Sequence, residues 1–196
     1  MVTRSMNRRD AVSRLLRDRG DALVVTGLGS PTYDVHAAGD HDANFYLWGA
    51  MGGAALVGLG VALAQPERRV IVITGDGEQL MAMGSLATIG VAAPPNLDVF
   101  VLDNEHYGET GMQASHTSRG VDLAAAADAC GFVEVATLWD LDDVDPVANR
   151  RVHAASTGPA LTVLKISDES PPRSLPIRDA VFLKNRFRAH LGLAPN

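Results

Sequence analysis

The sequence of 196 residues has little cysteine, few aromatic residues and no long apolar run. Its single cysteine, Cys130, cannot form an intrachain disulfide, and its alanine-rich surroundings favour a small buried apolar residue over a catalytic thiol. Aromatic residues make up 5% of the chain, so we expect a core of alanine, valine, leucine and isoleucine. The most apolar stretch, 50–64, contains four glycines and is too short to span a bilayer, so no membrane partner is expected.

Basic residues are concentrated at both ends of the chain. The net charge is −6, yet residues 1–20 carry six arginines against two aspartates, and residues 173–196 carry five basic residues against one acid. These ends lack interleaved aromatic residues and any recognised motif, so no nucleic-acid partner is expected. We therefore interpret the basic ends as solvated helix faces or as a surface for an acidic partner subunit. The arginine-rich N-terminus has no apolar run after it, which argues against a signal peptide and predicts a cytoplasmic location.

The chain alternates between strand and helix patterns. Apolar runs predict strands at 22–26, 70–74, 97–103, 132–136 and 160–166. Helical patterns fall at 7–19, 50–64, 78–91, 122–129, 140–155 and 178–190. The polar stretch 34–44 and the loop 105–120 have neither pattern. The alternation predicts an α/β fold, a doubly wound parallel sheet with helices on both faces. The length suits one domain, 1–196, with an N-terminal helix at 7–19 and a basic C-terminal tail at 170–196.

Two predicted strands end in residues that can bind a hard cation. Gly75-Asp76-Gly77 follows the strand at 70–74, and Asn104 follows the strand at 97–103. Because parallel sheets bind ligands at the carboxyl ends of their strands, a carboxylate and an amide oxygen can converge there on Mg²⁺. The two glycines let a bulky anion approach the backbone. The pattern predicts Mg²⁺ bridging the protein to a phosphate-bearing ligand, whereas a simple turn is the alternative for each residue taken alone.

Two segments can offer backbone N–H groups to such an anion. Glu78 and Gln79 open the helix predicted after the Gly-Asp-Gly turn, where the helix dipole favours negative charge. Gly27, Gly29 and Ser30 form a second glycine-rich turn at the end of the first predicted strand. Both are candidate cradles for this anion.

The run Gly-Asp-Gly, 26 further residues and then Asn resembles the cofactor signature of thiamine diphosphate (ThDP) enzymes. The resemblance implies ThDP and Mg²⁺ as cofactors, with Asp76, Asn104 and the backbone carbonyl of His106 as metal ligands. A metal bound through the imidazole is a minor alternative, since imidazole suits Mg²⁺ poorly. The resemblance also implies that the turn at 27–30 contacts the diphosphate, although this chain has Gly29-Ser30 where relatives carry Thr-Ser.

A Gly-x-(large apolar)-Gly element of the same family corresponds to Gly49-Ala50-Met51-Gly52. The resemblance implies that the Gly49 carbonyl binds the cofactor's 4′-amino group and that Met51 wedges between its two rings. The bent cofactor then removes its own C2 proton intramolecularly, so both residues would act in catalysis by holding its conformation. The alternative for Met51 is a core methionine that begins a helix.

Residues 83–90 and 104–113 resemble sulfopyruvate and phosphonopyruvate decarboxylases. This implies that Gly108 and Thr110 belong to the cofactor site, and that a short 2-oxoacid with a second anionic group loses CO₂ to give an aldehyde. Local donors for that anion would be His106, His116, Ser115, Thr117 and Arg119. Asp103 stands where relatives often have asparagine, and the resemblance gives it no role.

None of the six glutamates stands in the motif context of the acid that activates the cofactor's pyrimidine ring. In this family that glutamate belongs to a separate pyrimidine-binding domain. The resemblance therefore implies a split enzyme in which this chain is the β-type, diphosphate-binding subunit of a hetero-oligomer; alone, it could form a homodimer. The alternatives are a subunit of another two-chain ThDP enzyme, such as a 2-oxoacid oxidoreductase or a transketolase-like protein, and a non-catalytic regulatory subunit of the same fold.

Overall fold

The computed structural model describes residues 6–153 and 157–194. Its strands are β1 (Leu23–Thr26), β2 (Asn44–Tyr46), β3 (Val70–Gly75), β4 (Leu97–Asp103), β5 (His106–Tyr107), β6 (Gln113–Ala114), β7 (Glu134–Leu138) and β8 (Ala160–Lys165). Its α-helices are α1 (Arg8–Leu16), α2 (Ser30–Ala37), α3 (Ala54–Ala64), α4 (Asp76–Met81), α5 (Gly84–Ala92), α6 (Leu123–Ala129), α7 (Val144–His153) and α8 (Ala180–His190).

Six strands pair in parallel in the order β2-β1-β3-β4-β8-β7, and β5 and β6 form a separate antiparallel hairpin. This confirms the predicted parallel α/β sheet. Successive residues of a strand point to opposite faces, so the apolar runs feed two cores. Val70 and Val72 belong to the core that includes α3, α5 and α6. Ile71 and Ile73 belong to the core on the other face, with α1, α2 and α7.

The polar stretch 34–44, which showed neither a helix nor a strand pattern, contains the second half of α2 and the first residue of the edge strand β2. The hydropathy pattern did not show the helix, because two of its buried side chains, Thr32 and Asp34, are polar or charged. Asp34 is fully buried on α2, where it pairs with Arg8 and Arg9 of α1. A buried ion pair looks like a surface position to any pattern based on hydropathy.

Other boundaries shifted. The helix predicted at 78–91 is two helices, α4 and α5, because the backbone at Ala82 leaves helical geometry. The helix predicted from residue 50 begins at Ala54, and β7 begins two residues later than predicted. Residues 154 and 155 of the helix predicted at 140–155 lie outside the described residues. Cys130 is half-buried against the core at the end of α6.

Within 6–153 and 157–194, no helix combines the length and apolarity that crossing a membrane would require.

Candidate functional site

A cleft lies at the carboxyl edge of the sheet, where the strand order reverses. From β1 the chain moves outward to β2, whereas β3 and β4 follow on the other side of β1. Open α/β sheets bind ligands at such switch points. The cleft has an internal volume of about 160 Å³. Ten of the predicted site residues line it: Ser30, Met51, Gly75, Asp76, Gly77, Glu78, Asn104, His106, Gly108 and Thr110. Four do not form part of the wall: Gly27, Gly29, Gly49 and Gln79.

Asp76 is buried at the point where β3 passes into α4. Ser115 donates a hydrogen bond of 2.5 Å to its Oδ2, and the Thr117 hydroxyl lies 3.4 Å from the same oxygen. Burial raises the pKa of Asp76 to about 6; the Ser115 hydrogen bond opposes this rise, and the Asp103 carboxylate adds to it. A buried carboxylate whose charge is this costly is suited to a divalent cation, which would offset that charge.

Asp103, the residue without an expected role, anchors a network that ends at Asp76. Lys165 Nζ lies 2.6 Å from Asp103 Oδ2, and Thr117 donates a 2.8 Å hydrogen bond to Oδ1. Ser115 and Thr117 are themselves 2.9 Å apart, so two hydroxyls bridge the two carboxylates. The expectation that these hydroxyls bind the substrate is therefore corrected, since both are buried and engaged with carboxylates.

The end of β4 supplies Asn104 and the backbone of His106. Asn104 Oδ1 accepts a 3.0 Å hydrogen bond from the His106 N–H, and His106 Nδ1 lies 2.8 Å from the Asn104 carbonyl oxygen. Glu105 between them has a φ of 63°, which closes a tight turn. The imidazole is thus tied to its own backbone. Within the described part of the chain, no three His, Cys, Asp or Glu side chains form a cluster that could hold a metal ion by themselves.

The glycines that flank Asp76 differ in what they make room for. Neither has a positive φ, so the backbone conformation does not require glycine at either position. A Cβ on Gly77 would lie 2.7 Å from the Tyr107 ring, whereas one on Gly75 would approach only the Leu102 carbonyl oxygen, at 4.0 Å. Gly75 leaves open space at the cleft, and Gly77 admits Tyr107.

Glu78 lies inside α4 rather than opening it, because the helix begins at Asp76. Its side chain is buried, and Oε1 accepts a 3.2 Å hydrogen bond from the Gly52 N–H. A Cβ on Gly27 would collide with the other carboxylate oxygen, which explains the glycine there. Burial raises the pKa of Glu78. The side chain thus connects α4 to the turn that carries Met51, whereas the sequence suggested only its backbone N–H.

Met51 projects from a turn and not from a helix. Ala50 and Gly52 both have positive φ, 52° and 90°, and α3 begins only at Ala54. Met51 is 38% exposed and lines the cleft, which contradicts the alternative of a core methionine. A Cβ on Gly49 would meet no atom within 4 Å. The wedge role of Met51 and the carbonyl role of Gly49 stay predictions.

The cleft wall also contains residues that the sequence did not indicate: Arg8, Leu28, Pro31, Met81, Leu102, Tyr107, Glu109 and Ile166. Tyr107 and Glu109 lie in the segment 104–113 that resembles the decarboxylases, and this resemblance could have indicated that they line the site. Nothing in the sequence marked Arg8, because its position depends on how α1 packs against α2.

The fold and the strand-end residues define a class, namely α/β domains that bind a phosphate-bearing ligand at the carboxyl edge of a parallel sheet. The family model described as "Thiamine pyrophosphate enzyme, C-terminal TPP binding domain" matches residues 33–164. The chain belongs to this family.

Several relatives of the chain are named as decarboxylases. The chain is 42% identical over 191 residues to phosphonopyruvate decarboxylase of Streptomyces viridochromogenes, covering 94% of this chain and 46% of the relative. It is 39% identical over 137 residues to sulfopyruvate decarboxylase subunit beta of Methanothermobacter thermautotrophicus, covering 70% of this chain and 73% of the relative. The chain thus spans about half the length, or less, of the phosphonopyruvate decarboxylases that it matches.

The fold matches solved ThDP enzymes. Benzoylformate decarboxylase from Polynucleobacter necessarius has a TM-score of 0.73 at 17% identity, over 86% of this chain and 34% of that chain. At this identity the likeness concerns the fold alone.

Proposed function

We propose that this chain is the diphosphate-binding subunit of a ThDP- and Mg²⁺-dependent decarboxylase of a short 2-oxoacid. The observation that carries the proposal is the meeting of Asp76, Asn104 and His106 on one cleft wall at the sheet's switch point, in a member of the TPP-binding family. The reaction would convert the 2-oxoacid to an aldehyde and CO₂. The names of the relatives supply this reaction class.

The residues present fit Mg²⁺ and a diphosphate. Mg²⁺ prefers oxygen ligands, and the wall offers a carboxylate at Asp76, an amide oxygen at Asn104 and the main chain at His106. Among the described residues, no cation pairs with the buried Asp76 carboxylate, since Lys165 lies on Asp103. When bound, ThDP would supply the carbon centre that attacks the 2-oxo group and accepts electrons as CO₂ leaves. The chain itself contributes ligands, orientation and the exclusion of water.

We propose a substrate with a second anionic group at C3, sulfopyruvate or phosphonopyruvate. The support is the identity to relatives named for these two substrates. Of the loop donors predicted for the anion, Ser115 and Thr117 are engaged with carboxylates, and the His116 ring lies 2.8 Å from the Tyr107 hydroxyl. Part of the substrate's anion site is then expected on the partner subunit.

The partner would be a pyrimidine-binding subunit that carries the activating glutamate. Several relatives of similar length are named as subunit beta, which implies a second subunit in those proteins. Helices α3 and α5 contain no charged residue. Around them, large apolar side chains are exposed: Leu56, Leu63, Met81, Met83 and Val91. Such a surface is typical of an interface.

The cofactor part is tested by calorimetry on the full chain. ThDP should bind only with Mg²⁺, and Asp76→Ala should abolish this binding while circular dichroism shows an intact fold. Asn104→Ala should weaken binding less, because it removes a neutral ligand. Unchanged ThDP affinity in Asp76→Ala would refute the metal-ligand assignment.

The catalytic part is tested with a reconstituted complex of this chain and a pyrimidine-binding subunit. The chain alone should be inactive, and the complex should decarboxylate sulfopyruvate or phosphonopyruvate in preference to pyruvate and benzoylformate. A preference for pyruvate or benzoylformate by more than about tenfold, about 1.4 kcal/mol, would reject the anionic substrate and leave the cofactor assignment intact. ThDP binding without turnover would favour a non-catalytic subunit.

A further inference from the structure

Arg8 is a cation in the cleft wall that the proposed function leaves unused. It begins α1, its side chain is 9% exposed, and in the described residues no other arginine or lysine lines the cleft. Its Nε lies 3.2 Å from Asp34 Oδ2 but lacks hydrogen-bonding geometry. Within the described part of the chain the guanidinium forms no hydrogen bond. A buried guanidinium that faces a cleft, and that has an ion pair but no hydrogen bond among the described residues, is a binding group for an anion.

The charges around Arg8 leave a positive surplus. Arg9 lies 3.3 Å from the other oxygen of the same carboxylate, so two guanidinium groups share Asp34. Glu109 is the second carboxylate near Arg8, but Arg173 approaches it at 3.5 Å. Three guanidinium groups therefore face two carboxylates. One bound anion would balance this part of the cleft.

The start of α2 stands beside Arg8 and adds neutral donors. Ser30 and Pro31 line the same cleft as Arg8, and Asp34, one turn further along α2, lies 3.2 Å from Arg8 Nε. Gly29 precedes the helix with a φ of 82°, and no side chain caps the first turn. The helix dipole and the Ser30 donors, which make no hydrogen bond among the described residues, favour an anion at this point.

We infer that Arg8 binds the diphosphate of the cofactor directly, through its terminal guanidinium nitrogens. The inference rests on the proposed function, because the ligand is the proposed cofactor. Arginine suits the task because its planar fork can give a phosphate two parallel hydrogen bonds. The ion pair with Asp34, at 3.2 Å from Nε, keeps the guanidinium beside α2. We assign the diphosphate, rather than the anionic group of the substrate, because Arg8 shares its part of the wall with the cradle at Ser30.

The test compares Arg8→Gln with Arg9→Gln, a matched control from the adjacent position. Both changes remove one of the two guanidinium groups on Asp34, but the Arg9 side chain is 28% exposed and donates to the Pro172 carbonyl. The probe is inorganic pyrophosphate with Mg²⁺, titrated calorimetrically into the full chain. We expect Arg8→Gln to weaken binding about tenfold or more, the value of a charge-assisted hydrogen bond, and Arg9→Gln to change it little. Equal losses in both variants, or no loss in Arg8→Gln, would overturn the inference.

Arg8→Lys keeps a cation beside Asp34 and guards against misfolding of the glutamine variant. We expect it to fold with the wild-type circular dichroism spectrum and to bind pyrophosphate several-fold more weakly, because an ammonium group lacks the paired donors. Wild-type affinity in Arg8→Lys would contradict a direct bidentate contact.

The source of the anion and the proposed function are tested separately. If Arg8→Gln keeps its pyrophosphate affinity but raises KM for phosphonopyruvate in the reconstituted complex, Arg8 serves the substrate and the inference is wrong. Loss of Mg²⁺–ThDP binding in Asp76→Ala, with normal binding in Arg8→Gln, would refute only the role of Arg8. A wild-type chain that binds neither ThDP nor pyrophosphate would refute the proposed function as well.

Discussion

Ionised Asp76 should destabilise the cofactor-free chain, so Asp76→Asn should stabilise the fold while it destroys the metal site. Burial raises the pKa of this carboxyl from an ordinary 3.8 to about 6 in the folded chain. A difference of about two pKa units corresponds to about 3 kcal/mol of unfolding free energy. Asparagine keeps an oxygen for Ser115 but brings an amide group to the other position, at a cost of about 1 kcal/mol. The net gain at neutral pH is about 2 kcal/mol.

The sign follows from the direction of the shift. Because the folded-state pKa lies above the unfolded value, the folded chain holds the proton more tightly, and ionisation costs stability. The cost is absent below pH 3.8, grows between pH 3.8 and 6, and is complete above pH 6. Between pH 4.5 and 7.5 the wild-type chain should therefore lose about 2 kcal/mol relative to the variant.

The assay is urea unfolding at several pH values without metal, followed by tryptophan fluorescence. Asp21→Asn, at an exposed position, controls for the removal of one negative charge. A stability difference between wild type and Asp76→Asn that stays constant with pH would refute the reasoning. So would a wild-type chain that is the more stable of the two at pH 7.5.

Three further predictions concern packing and the cofactor. Lys165→Met should lower the free energy of unfolding by about 3–5 kcal/mol, because it leaves the buried Asp103 carboxylate without its cation. Urea unfolding of the double variant Lys165→Met with Asp103→Asn should show that much of this loss is recovered. No recovery would contradict the ion-pair argument. Gly58→Ala should destabilise α3 by about 1–3 kcal/mol, because its Cβ would collide with a side chain of β3. Gly60→Ala, where a Cβ meets open space, should stabilise α3 by up to about 1 kcal/mol. Thermal unfolding that ranks the two variants in the opposite order would refute the packing argument. Met51→Ala should keep Mg²⁺–ThDP binding but slow hydrogen–deuterium exchange at the cofactor C2 in the reconstituted enzyme, and an unchanged rate would assign Met51 to packing alone.

The strands and their ends were predictable because their chemistry is local. A buried parallel strand is a continuous apolar run, and Asp76 and Asn104 each follow such a run directly. The two runs lie on neighbouring strands, in register, so their ends meet at one edge of the sheet. The sequence therefore sufficed to bring these two residues together.

The orientation of side chains was not predictable in the same way. Glu78 was expected to contribute its N–H to an anion, but its carboxylate turns inward to the Gly52 backbone, into space that Gly27 leaves free. Asp103 differs from the common asparagine by one charge, which the distant Lys165 neutralises. Both facts depend on tertiary contacts between segments that no local pattern connects. For the same reason α2 was missed, since its buried Asp34 is neutralised by residues of another helix.

The cleft wall contains two buried side chains of opposite charge, and this arrangement predicts that the metal and the cofactor strengthen each other's binding. Among the described residues, Asp76 is a buried carboxylate without a cation, and Arg8 is a buried guanidinium without a hydrogen bond. A metal ion alone would neutralise only Asp76. A diphosphate alone would bind Arg8 but would be repelled by the negative charge of Asp76. A metal–diphosphate pair neutralises the Asp76 carboxylate and the Arg8 guanidinium at once. Each component should therefore raise the affinity of the chain for the other. Because binding free energies are reciprocal, Mg²⁺ must then strengthen ThDP binding by the same factor by which ThDP strengthens Mg²⁺ binding.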